Sequence, residues 1–397
     1  MKALSFDGKG FEYFKIWIVN IIFTILTLGI YHPWAKVRNA RYFYANSKLE
    51  DKNFEYHATG KQLFIAFLIT MVLVIAYVIL QRVSPIGGFV ALGILFIAFP
   101  WIIWRSLKFN MRVTSFSNVR FGFVGGLGGS YFIYMVMPIL ILVAWYLIPI
   151  AMGVVAKNML GFSTAIASAV VLAGTIVSWI AAVYLYGLMK KKSAIYKLNG
   201  SRYGQGKFSA DVQVAPFVII LLKTIGLFIL AVVSILLVAA LYAWTTGLSS
   251  DLMQLVPKMN DPEAIEDTFG NPMLIALIAL LYIGFIFIVI ALLSYSYARQ
   301  RKYIYENTKL DGKITFASSL GARKIAWVSV TNLLLVILTL GLATPWAKVR
   351  MARVLLENTH VDTSTGLDSY ISQKQDEQSS LGEQIGDAFD IDVGIGI

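Results

Sequence analysis

The stretch "LTLGIYHPWAKVRNAR", Leu26 to Arg41, returns near the other end of the chain. The second copy reads "LTLGLATPWAKVRMAR", Leu338 to Arg353, with 12 of 16 positions identical and a constant offset of 312 residues. In each copy an apolar run reaches a glycine, and a proline and a tryptophan follow. Proline suits a first helical turn and tryptophan favours the membrane–water boundary. The motif therefore predicts a helix break followed by an interfacial amphipathic helix.

Both copies carry a proline, a tryptophan and three basic residues at matching positions. The residues that we expect to face the interface and its lipid headgroups are Pro33, Trp34, Lys36, Arg38, Arg41, Pro345, Trp346, Lys348, Arg350 and Arg353. Basic residues beside a membrane attract the anionic cytoplasmic leaflet. The predicted partners are therefore membrane lipids with anionic headgroups on the cytoplasmic side.

Composition and the length of the apolar runs predict a membrane protein. Apolar residues make up 58% of the chain and charged residues 14%, against roughly 45–50% and 25% in soluble domains. A helix that crosses the hydrocarbon layer needs about 20 mostly apolar residues. The six clear candidates are Gln62–Leu80, Ile86–Trp104, Tyr131–Met152, Ala165–Met189, Ala215–Trp244 and Pro272–Tyr297. The predicted fold class is an all-α polytopic membrane protein.

Two shorter runs, Ile16–Tyr31 and Ile325–Ala343, lead into the motif copies and are either spanning or re-entrant. If both cross, the copies lie on opposite sides, an inverted arrangement common in secondary transporters. If both dip in without crossing, both copies are cytoplasmic and six spans remain. Each run has a polar face that should be buried or wet rather than exposed to lipid. Its residues are Asn20, Thr24, Thr27, Asn332 and Thr339.

Positive charge is concentrated in alternate loops. Of the Lys and Arg residues, 23 lie in the stretches 33–61, 105–130, 190–214 and 298–324. The three loops between them, 81–85, 152–164 and 244–271, hold 3. This alternation follows the positive-inside rule and predicts that the four basic stretches are cytoplasmic. It also argues against nucleic-acid binding, which needs one continuous basic face.

A second pattern recurs along the chain: a basic residue, four further residues and then an asparagine. It occurs as Arg41–Asn46, Arg105–Asn110, Lys302–Asn307 and Arg353–Asn358. The pattern favours internal duplication, with asparagine closing each helix in the left-handed conformation. Short cytoplasmic β-hairpins should follow. The clearest is "KLDGKITF", Lys309–Phe316, because Asp-Gly between β-prone residues is a strong hairpin signal.

The chain divides into a single multi-span domain, 1–353, which contains the repeated motif (26–41 and 338–353), and a polar tail, 354–397. The tail has nine acidic residues and one basic residue, so we expect it to be disordered. Small residues at Ala165, Ala169 and Ala173 permit close helix packing and allow a homo-oligomer.

Reactive chemistry is hard to find in the sequence. The chain has no cysteine, and its three histidines lack metal-ligand spacing. No Ser/His/Asp arrangement and no P-loop occurs. We therefore expect no enzyme activity, no metal and no cofactor. The clear spans also contain no Asp or Glu, which disfavours a transporter driven through intramembrane carboxylates.

Two blocks resemble the YjgN-like family of bacterial inner-membrane proteins, whose function is unknown. They are "LTLGIYHPWAKVR…RYFYANSKL", Leu26–Leu49, and "SLKFNMRVTSFSNVRFGF", Ser106–Phe123. The resemblance extends from residue 6 to about residue 360. It implies a multi-pass location in the bacterial inner (cytoplasmic) membrane and a repeated architecture, and it provides no catalytic residue or substrate.

Two functions remain after this reading. Duplication, broken helices and polar terminal runs favour transport or lipid translocation, and we expect a water-filled central cavity in that case. The alternative is a non-transporting, lipid-binding membrane organiser or scaffold. That role would go with a dry bundle and lipid-binding cytoplasmic loops.

Overall fold

The computed structural model describes residues 1–255, 270–364, 366 and 368–377. Two compact units divide the chain. The first unit consists of Met1–Val218, Arg301–Leu320 and Leu335–Ile397, and the second of Ile219–Gln300 and Gly321–Leu334.

One antiparallel sheet, with eleven strands among the described residues, lies in the first unit. Its strands are β1 Lys2–Ala3, β2 Ser5–Phe6, β3 Ser47–Leu49, β4 Lys52–Tyr56, β5 Thr114–Phe116, β6 Val119–Phe123, β7 Ser201–Tyr203, β8 Gly206–Ala210, β9 Thr308–Leu310, β10 Ile314–Ser318 and β11 Thr359–Val361. The spatial order runs β1-β11-β10-β9-β8-β7-β6-β5-β4-β3-β2. Only Leu4 separates β1 from β2 in the chain, and its amide donates to the carbonyl oxygen of Thr359 (2.9 Å). The two ends of the order are therefore one continuous stretch, and the sheet closes into a barrel.

Helices account for most of the remaining described residues. They are α1 Gly10–Leu26, α2 His32–Ala45, α3 Gly60–Val83, α4 Pro85–Arg112, α5 Leu127–Met159, α6 Thr164–Gly200, α7 Val214–Thr245, α8 Leu248–Leu255, α9 Pro272–Glu306, α10 Ala322–Leu338, α11 Thr344–Glu357 and α12 over 368–377. Three π-helical turns interrupt α5, at Phe132–Val136, Val143–Leu147 and Val155–Met159. The first two turns end two residues before Pro138 and Pro149. In a regular helix a proline ring would clash with the carbonyl four residues earlier.

The same arrangement occurs five times along the chain. A five-residue stretch that pairs in the sheet is followed by a three-residue link, two main helices and a three-residue strand. In the first repeat the stretch is residues 2–6, with β1 and β2, and in the fourth the short helix α8 lies between the two main helices. The first residue of each link donates its amide to the carbonyl just before the next short strand. These bonds are Asp7 to Asn46 (3.0 Å), His57 to Val113 (2.7 Å), Val124 to Gly200 (2.8 Å), Asp211 to Asn307 (3.0 Å) and Ser319 to Asn358 (3.1 Å). The two motif copies belong to the first and fifth repeats.

The N-terminal strand, residues 2–6, is the long-strand partner of β11. In the first complete hairpin Leu49 lies opposite Lys52, and in the same register Val361 lies opposite Lys2. Residues 2–6 also pair with β3 on their other edge. The fifth hairpin is thus built from the two ends of the chain.

Each short strand begins with a hydroxyl residue that bonds back to the end of the helix before it. The hydroxyl donates to the carbonyl four residues earlier in all five repeats. The donors are Ser47 (2.8 Å), Thr114 (2.9 Å), Ser201 (2.7 Å), Thr308 (2.6 Å) and Thr359 (2.7 Å). These bonds satisfy carbonyls that the end of a helix leaves without a partner.

The asparagines do not close the helices as expected. Asn46 has φ −93° and Asn358 has φ −99°, so neither is left-handed. Their side chains instead donate to the carbonyls of Tyr42 and Val354. Left-handed residues occur instead in hairpin turns, for example Glu50 and Asp51 between β3 and β4.

The six predicted spans are confirmed as six helices long and apolar enough to cross a membrane. Most extend beyond their predicted ends, and α6 continues from Met189 to Gly200 as it approaches the sheet. The all-α class was incomplete, because the sequence predicted separate hairpins and the strands instead join in one barrel. The short terminal runs form α1 and α10, each of 17 residues. Such a helix is about 25 Å long, less than the ~30 Å hydrocarbon layer.

The small residues of α6 lie in two environments. Gly174, Ser178 and Ala182 are buried, and a Cβ on Gly174 would lie 2.8 Å from the sulfur of Met152 on α5. Ala165, Ala169 and Ala173, the residues predicted to permit close packing, are exposed. The predicted homo-oligomer stays a prediction.

The second unit has its own small core. Ala243 at the end of α7 and Leu248 on α8 pack with Leu274 and Leu277 at the start of α9. Farther along α9, a Cβ on Gly284 would lie 2.9 Å from Ile235. Much of the predicted loop 244–271, from 256 to 269, lies outside the described residues.

Part of the predicted tail has regular structure. The end of α11, strand β11 and α12 all fall within 354–397. Residues 359–361 are ordered because they complete the barrel between β10 and β1. Residues 378–397 lie outside the described residues, so the disorder predicted for them and the division at 353 stay predictions.

Candidate functional site

The first candidate region is the pair of tips at which the motif copies turn. Leu28 and Leu340 have φ of 49° and 50°, and Gly29 and Gly341 both have φ of 92°. Glycine adopts this conformation without the steric penalty that a Cβ brings. The two tips therefore repeat in backbone conformation as well as in sequence.

A threonine organises each tip from the end of the first helix. Thr27 Oγ1 donates to the carbonyl of Phe23 (2.7 Å) and accepts from the amide of Tyr31 (2.9 Å). In the second copy, Thr339 Oγ1 accepts from the amide of Ala343 in the same way (3.0 Å). The Thr-Leu-Gly sequence thus occurs in both motif copies with the same local role, in which the threonine hydroxyl accepts from the amide four residues later.

Both tips expose leucine to an unusual degree. Leu28 is 92% exposed and Leu340 is 94% exposed. Neighbouring apolar side chains on the same turns are exposed as well, namely Leu26, Ile30, Leu338 and Leu342. An apolar surface of this kind marks a contact with a membrane or a partner.

The tryptophans of the motif pack on the first glycine of another helix. Trp34 lies against Gly60 at the start of α3, and Trp346 lies against Gly10 at the start of α1. A Cβ on these glycines would come within 2.2 and 2.3 Å of the indole Cδ1 atoms. Trp34 also contacts Phe64, with ring centroids 5.1 Å apart. The motif therefore joins one repeat to the next.

Two arginines make the matching polar contact. Arg41 Nη2 donates to the carbonyl of Ala58 (3.0 Å), and Arg353 Nη2 donates to the carbonyl of Gly8 (3.0 Å). Ala58 and Gly8 occupy the same position in the links after β4 and β2. The prolines Pro33 and Pro345 are fully buried, whereas Lys36 and Lys348 are exposed. Lipid contact by the motif residues stays a prediction, and two arginines already have protein partners.

The predicted polar face is mostly turned into the protein. Asn20 is 3% exposed, donates to Asn39 Oδ1 (2.9 Å) and accepts from Arg38 Nη1 (3.2 Å). Thr24 donates to the carbonyl of Asn20 (2.6 Å). In the second copy Asn332 is 8% exposed, and both Asn332 and Arg350 have interaction partners.

The second candidate region is the lumen of the barrel, which sequence reasoning missed. Two rings of five apolar side chains point into it, one from each set of strands. The middle residues of the long strands are Leu4, Phe54, Phe121, Phe208 and Phe316. The last residues of the short strands are Leu49, Phe116, Tyr203, Leu310 and Val361. The sequence signal that could have indicated the lumen is an apolar residue two positions after the Ser or Thr at the start of each short strand.

The rings surround a cavity of about 270 Å³. Leu198, Ile304 and Tyr305 line it at the end where helices α6 and α9 enter the sheet. Tyr203 donates its hydroxyl to the carbonyl of Phe116 (3.0 Å), so its polar atom is satisfied. Burial raises the pKa of this hydroxyl well above its ordinary value of 10.0, and the group stays neutral. The cavity wall is therefore apolar and uncharged.

Helix α12 covers the turn end of the barrel. Tyr370 lines the cavity and donates its hydroxyl to Asp311 Oδ2 (2.8 Å) in the β9–β10 turn. Lys374, only 7% exposed, pairs with Asp311 (3.3 Å) and with Glu377 (2.9 Å). Gln375 donates to the carbonyl of Ser117 in the β5–β6 turn (2.7 Å). One helix thus contacts at least two turns of the barrel.

The charges beneath α12 support each other. Burial works to raise the pKa of Asp311, but hydrogen bonds from the Lys207 amide, Tyr370 and Lys374 outweigh it and hold the pKa below its ordinary value. Burial likewise works to lower the pKa of Lys374, and hydrogen bonds to Glu377 and Asp311 raise it overall. Both groups are therefore charged at neutral pH.

One cluster resembles a catalytic arrangement at first sight. His57 Nε2 lies 2.7 Å from Ser115 Oγ and 3.3 Å from Glu55 Oε2. A Ser–His–carboxylate relay uses both ring nitrogens, one for each partner. Here both partners meet the same nitrogen, and Ser115 is 1% exposed. The cluster therefore joins β4 to β5, and no group of metal ligands occurs among the residues that the structure describes.

Comparison with known proteins agrees with the membrane architecture. A family profile described as "Bacterial protein of unknown function (DUF898)" matches residues 1–388. The "Inner membrane protein YjgN" of Salmonella typhimurium is 30% identical over 368 residues, which covers 90% of this chain and 88% of that protein. The protein of the same name from Escherichia coli O157:H7 is 26% identical over 369 residues, with the same two coverages. No solved structure matches the chain.

Proposed function

The chain belongs to the DUF898 family of bacterial proteins, and from that premise we propose that it organises lipid at the cytoplasmic face of the inner membrane without transporting it. Its membrane location is well supported. Six helices can cross a bilayer, and the similar proteins are inner membrane proteins. It is a multi-pass protein of the bacterial inner membrane.

The observation that carries the proposal is the pair of leucine tips. Leu28 and Leu340 are almost fully exposed at the ends of two helix pairs that start and finish on the same sheet. A tip exposed in this way is stable when hydrocarbon covers it, since burial of apolar surface gains about 25 cal/mol per Å². In this proposal the α1–α2 and α10–α11 pairs dip into the bilayer and return without crossing.

The positions of the basic residues give the side. The four basic stretches of the sequence contain β3 to β10, and the positive-inside rule assigns such stretches to the cytoplasm. The barrel then lies at the cytoplasmic face, and the tips enter the inner leaflet. Exposed Lys36 and Lys348 are available to anionic headgroups beside each tip.

The equivalence of the motif copies weighs against an inverted repeat. Inverted transporters place matching segments on opposite sides of the membrane. Here α2 leads into β3 and α11 leads into β11, and both strands belong to one barrel. This arrangement favours the scaffold alternative over transport or lipid translocation.

A lipid-flip assay tests the absence of transport. The purified protein would be placed in vesicles that contain a fluorescent phosphatidylglycerol in both leaflets, and dithionite would then bleach the outer leaflet. We expect the same bleached fraction as in protein-free vesicles. Bleaching of the inner-leaflet lipid in the presence of protein would contradict the proposal and support translocation.

Depth measurements test the position of the tips. The chain has no native cysteine, so Leu28→Cys and Leu340→Cys can each carry a single nitroxide label. We expect both labels to meet oxygen, which dissolves in hydrocarbon, and to be shielded from a water-soluble nickel chelate. Lys348→Cys, on the exposed face of α11, is the matched control and should meet the chelate. Tip labels as accessible to nickel as this control would refute insertion.

A further inference from the structure

We infer that the barrel lumen is a binding site for one acyl chain that ends in an anionic group. The inference does not depend on insertion of the leucine tips. It concerns the cavity enclosed by β1–β11, which all lie in the first unit.

The size of the cavity distinguishes it from a packing defect. Voids in protein interiors are seldom larger than a water molecule, whereas this cavity measures about 270 Å³. An apolar cavity of ~150 Å³ already stays dry and binds small hydrocarbons. An empty space of this volume is costly because the lining side chains lose contact partners. An apolar ligand would restore those contacts.

The shape of the lining favours a chain rather than a compact ring. The ten ring residues form two successive layers along the strands, with Thr308 and Thr359 adjoining them at the helix end. Phe54 and Phe116 lie side by side with centroids 4.7 Å apart, as do Phe121 and Tyr203 at 5.2 Å. The cavity of about 270 Å³ is larger than the apolar cavity of ~150 Å³ that binds a small hydrocarbon, and its layered wall suits a medium-length saturated chain.

Arg301 lies behind the cavity wall at the helix end, where it contacts two of the lining residues. Its Nη2 donates to the carbonyl of Leu355 (3.2 Å) and to the hydroxyl of Thr359. Its guanidinium lies over the ring of Tyr305, 4.8 Å from the centroid. Thr359 and Tyr305 both line the cavity. A carboxylate or phosphate at this end of the cavity would therefore lie close to the positive charge of a guanidinium, which favours both groups.

Helix α12 closes the opposite end. Tyr370 contributes to the cavity wall, and Ile371 beside it is 3% exposed. The polar contacts of Tyr370 and Lys374 with Asp311 hold the helix over the turns. The methyl end of the acyl chain would lie beneath α12, and its anionic end would lie near Arg301.

Binding can be measured on the full-length protein in lipid nanodiscs with radiolabelled decanoic acid. Phe208→Trp enlarges a side chain inside the lumen, and Phe11→Trp makes the same change at a residue 60% exposed on α1. We expect saturable binding that weakens at least tenfold in Phe208→Trp and is unchanged in Phe11→Trp. A second, milder filling variant, Leu310→Phe, keeps the test valid if Phe208→Trp fails to fold.

The anionic end is tested separately with Arg301→Gln. This variant should lose about tenfold in affinity for decanoate and bind 1-decanol as the parent does. Equal losses for both ligands would show that Arg301 supports only the structure and would overturn the assignment of the headgroup. No saturable binding to the parent protein, or equal binding to all lumen variants, would overturn the site itself.

The source of the chain follows from mass spectrometry of the protein as purified. A free fatty acid released by organic extraction would identify a soluble ligand. A phospholipid or lysophospholipid that is retained in Phe11→Trp and absent from Phe208→Trp would identify the membrane as the source. Both results support the site, and they separate its two sources.

Discussion

Replacing Gly60 by alanine should loosen the contact between the first and second repeats. The new Cβ would lie 2.2 Å from Cδ1 of Trp34, while carbon atoms in contact are normally about 3.5–4.0 Å apart. The indole must therefore move by about 1.3 Å or more, against Phe64 on one side. Overpacking of this kind typically costs about 1–3 kcal/mol. Gly10→Ala should behave alike, because its Cβ would lie 2.3 Å from Trp346.

The matched control is Gly93→Ala, a helical glycine of α4 with no atom within 4 Å of the added Cβ. Alanine favours a helix over glycine by about 1 kcal/mol, so this variant should be neutral or more stable. Unfolding of the detergent-solubilised protein by rising SDS fraction would give the three free energies. We expect Gly60→Ala to lie about 1–3 kcal/mol below the control.

A double-mutant cycle identifies the cause of the loss. Adding Trp34→Leu to Gly60→Ala removes the clashing ring, so the cost of Gly60→Ala should largely disappear in that background. The reasoning is refuted if Gly60→Ala is as stable as Gly93→Ala, or if its cost is the same with Trp34 and with leucine at that position.

Three further perturbations probe the barrel and the links that hold it. Lowering the pH should release α12, because the pKa of Asp311 is held below its ordinary value of 3.8 in the folded protein. The stability that this carboxylate contributes is complete above pH 3.8 and is lost as the pH falls through the lower folded-state pKa. A spin label at Ser372→Cys should therefore become mobile only in acid, and it should be mobile at neutral pH when Asp311→Asn is also present. Arg353→Gln should lower the free energy of unfolding by about 1–3 kcal/mol, since it breaks the charged hydrogen bond to the carbonyl of Gly8. Lys348→Gln on the same helix should change it by less than about 0.5 kcal/mol. Equal effects of the two substitutions would show that the bond to Gly8 has no structural role. Deleting residues 2–6 should raise amide exchange in β3 and β11 together, and unchanged protection in either strand would contradict closure of the sheet.

The six spans could be predicted from sequence because each is a long apolar run, and a bilayer imposes both length and composition. The strands could not be predicted as well, since they have only two to five residues and carry little periodic signal. The hairpin at Lys309–Phe316 was found through its Asp-Gly turn, but the one formed by β7 and β8 turns at Gly204 and was missed.

The candidate site was harder to predict than the fold, for a related reason. The lumen is built from residues such as Leu4, Phe208 and Val361, which are ordinary apolar residues in sequences that otherwise differ. Only pairing between distant strands shows that they point to one axis. The leucine tips were within reach of sequence reasoning, because the motif was recognised, but attention went to Trp34 and Arg41, which turn out to contact protein.

The N-terminal strand closes the barrel by pairing with β11, and this pairing affects the order in which the strands can assemble during synthesis. Lys2 pairs with Val361, so during synthesis β1 finds this partner only after the residues between them have been made. At about 5–20 residues per second, that wait is roughly 20–70 s. During this time the edge of β1 that will pair with β11 is open, and an unpaired strand edge favours aggregation. The barrel can therefore close only after β11 has been made.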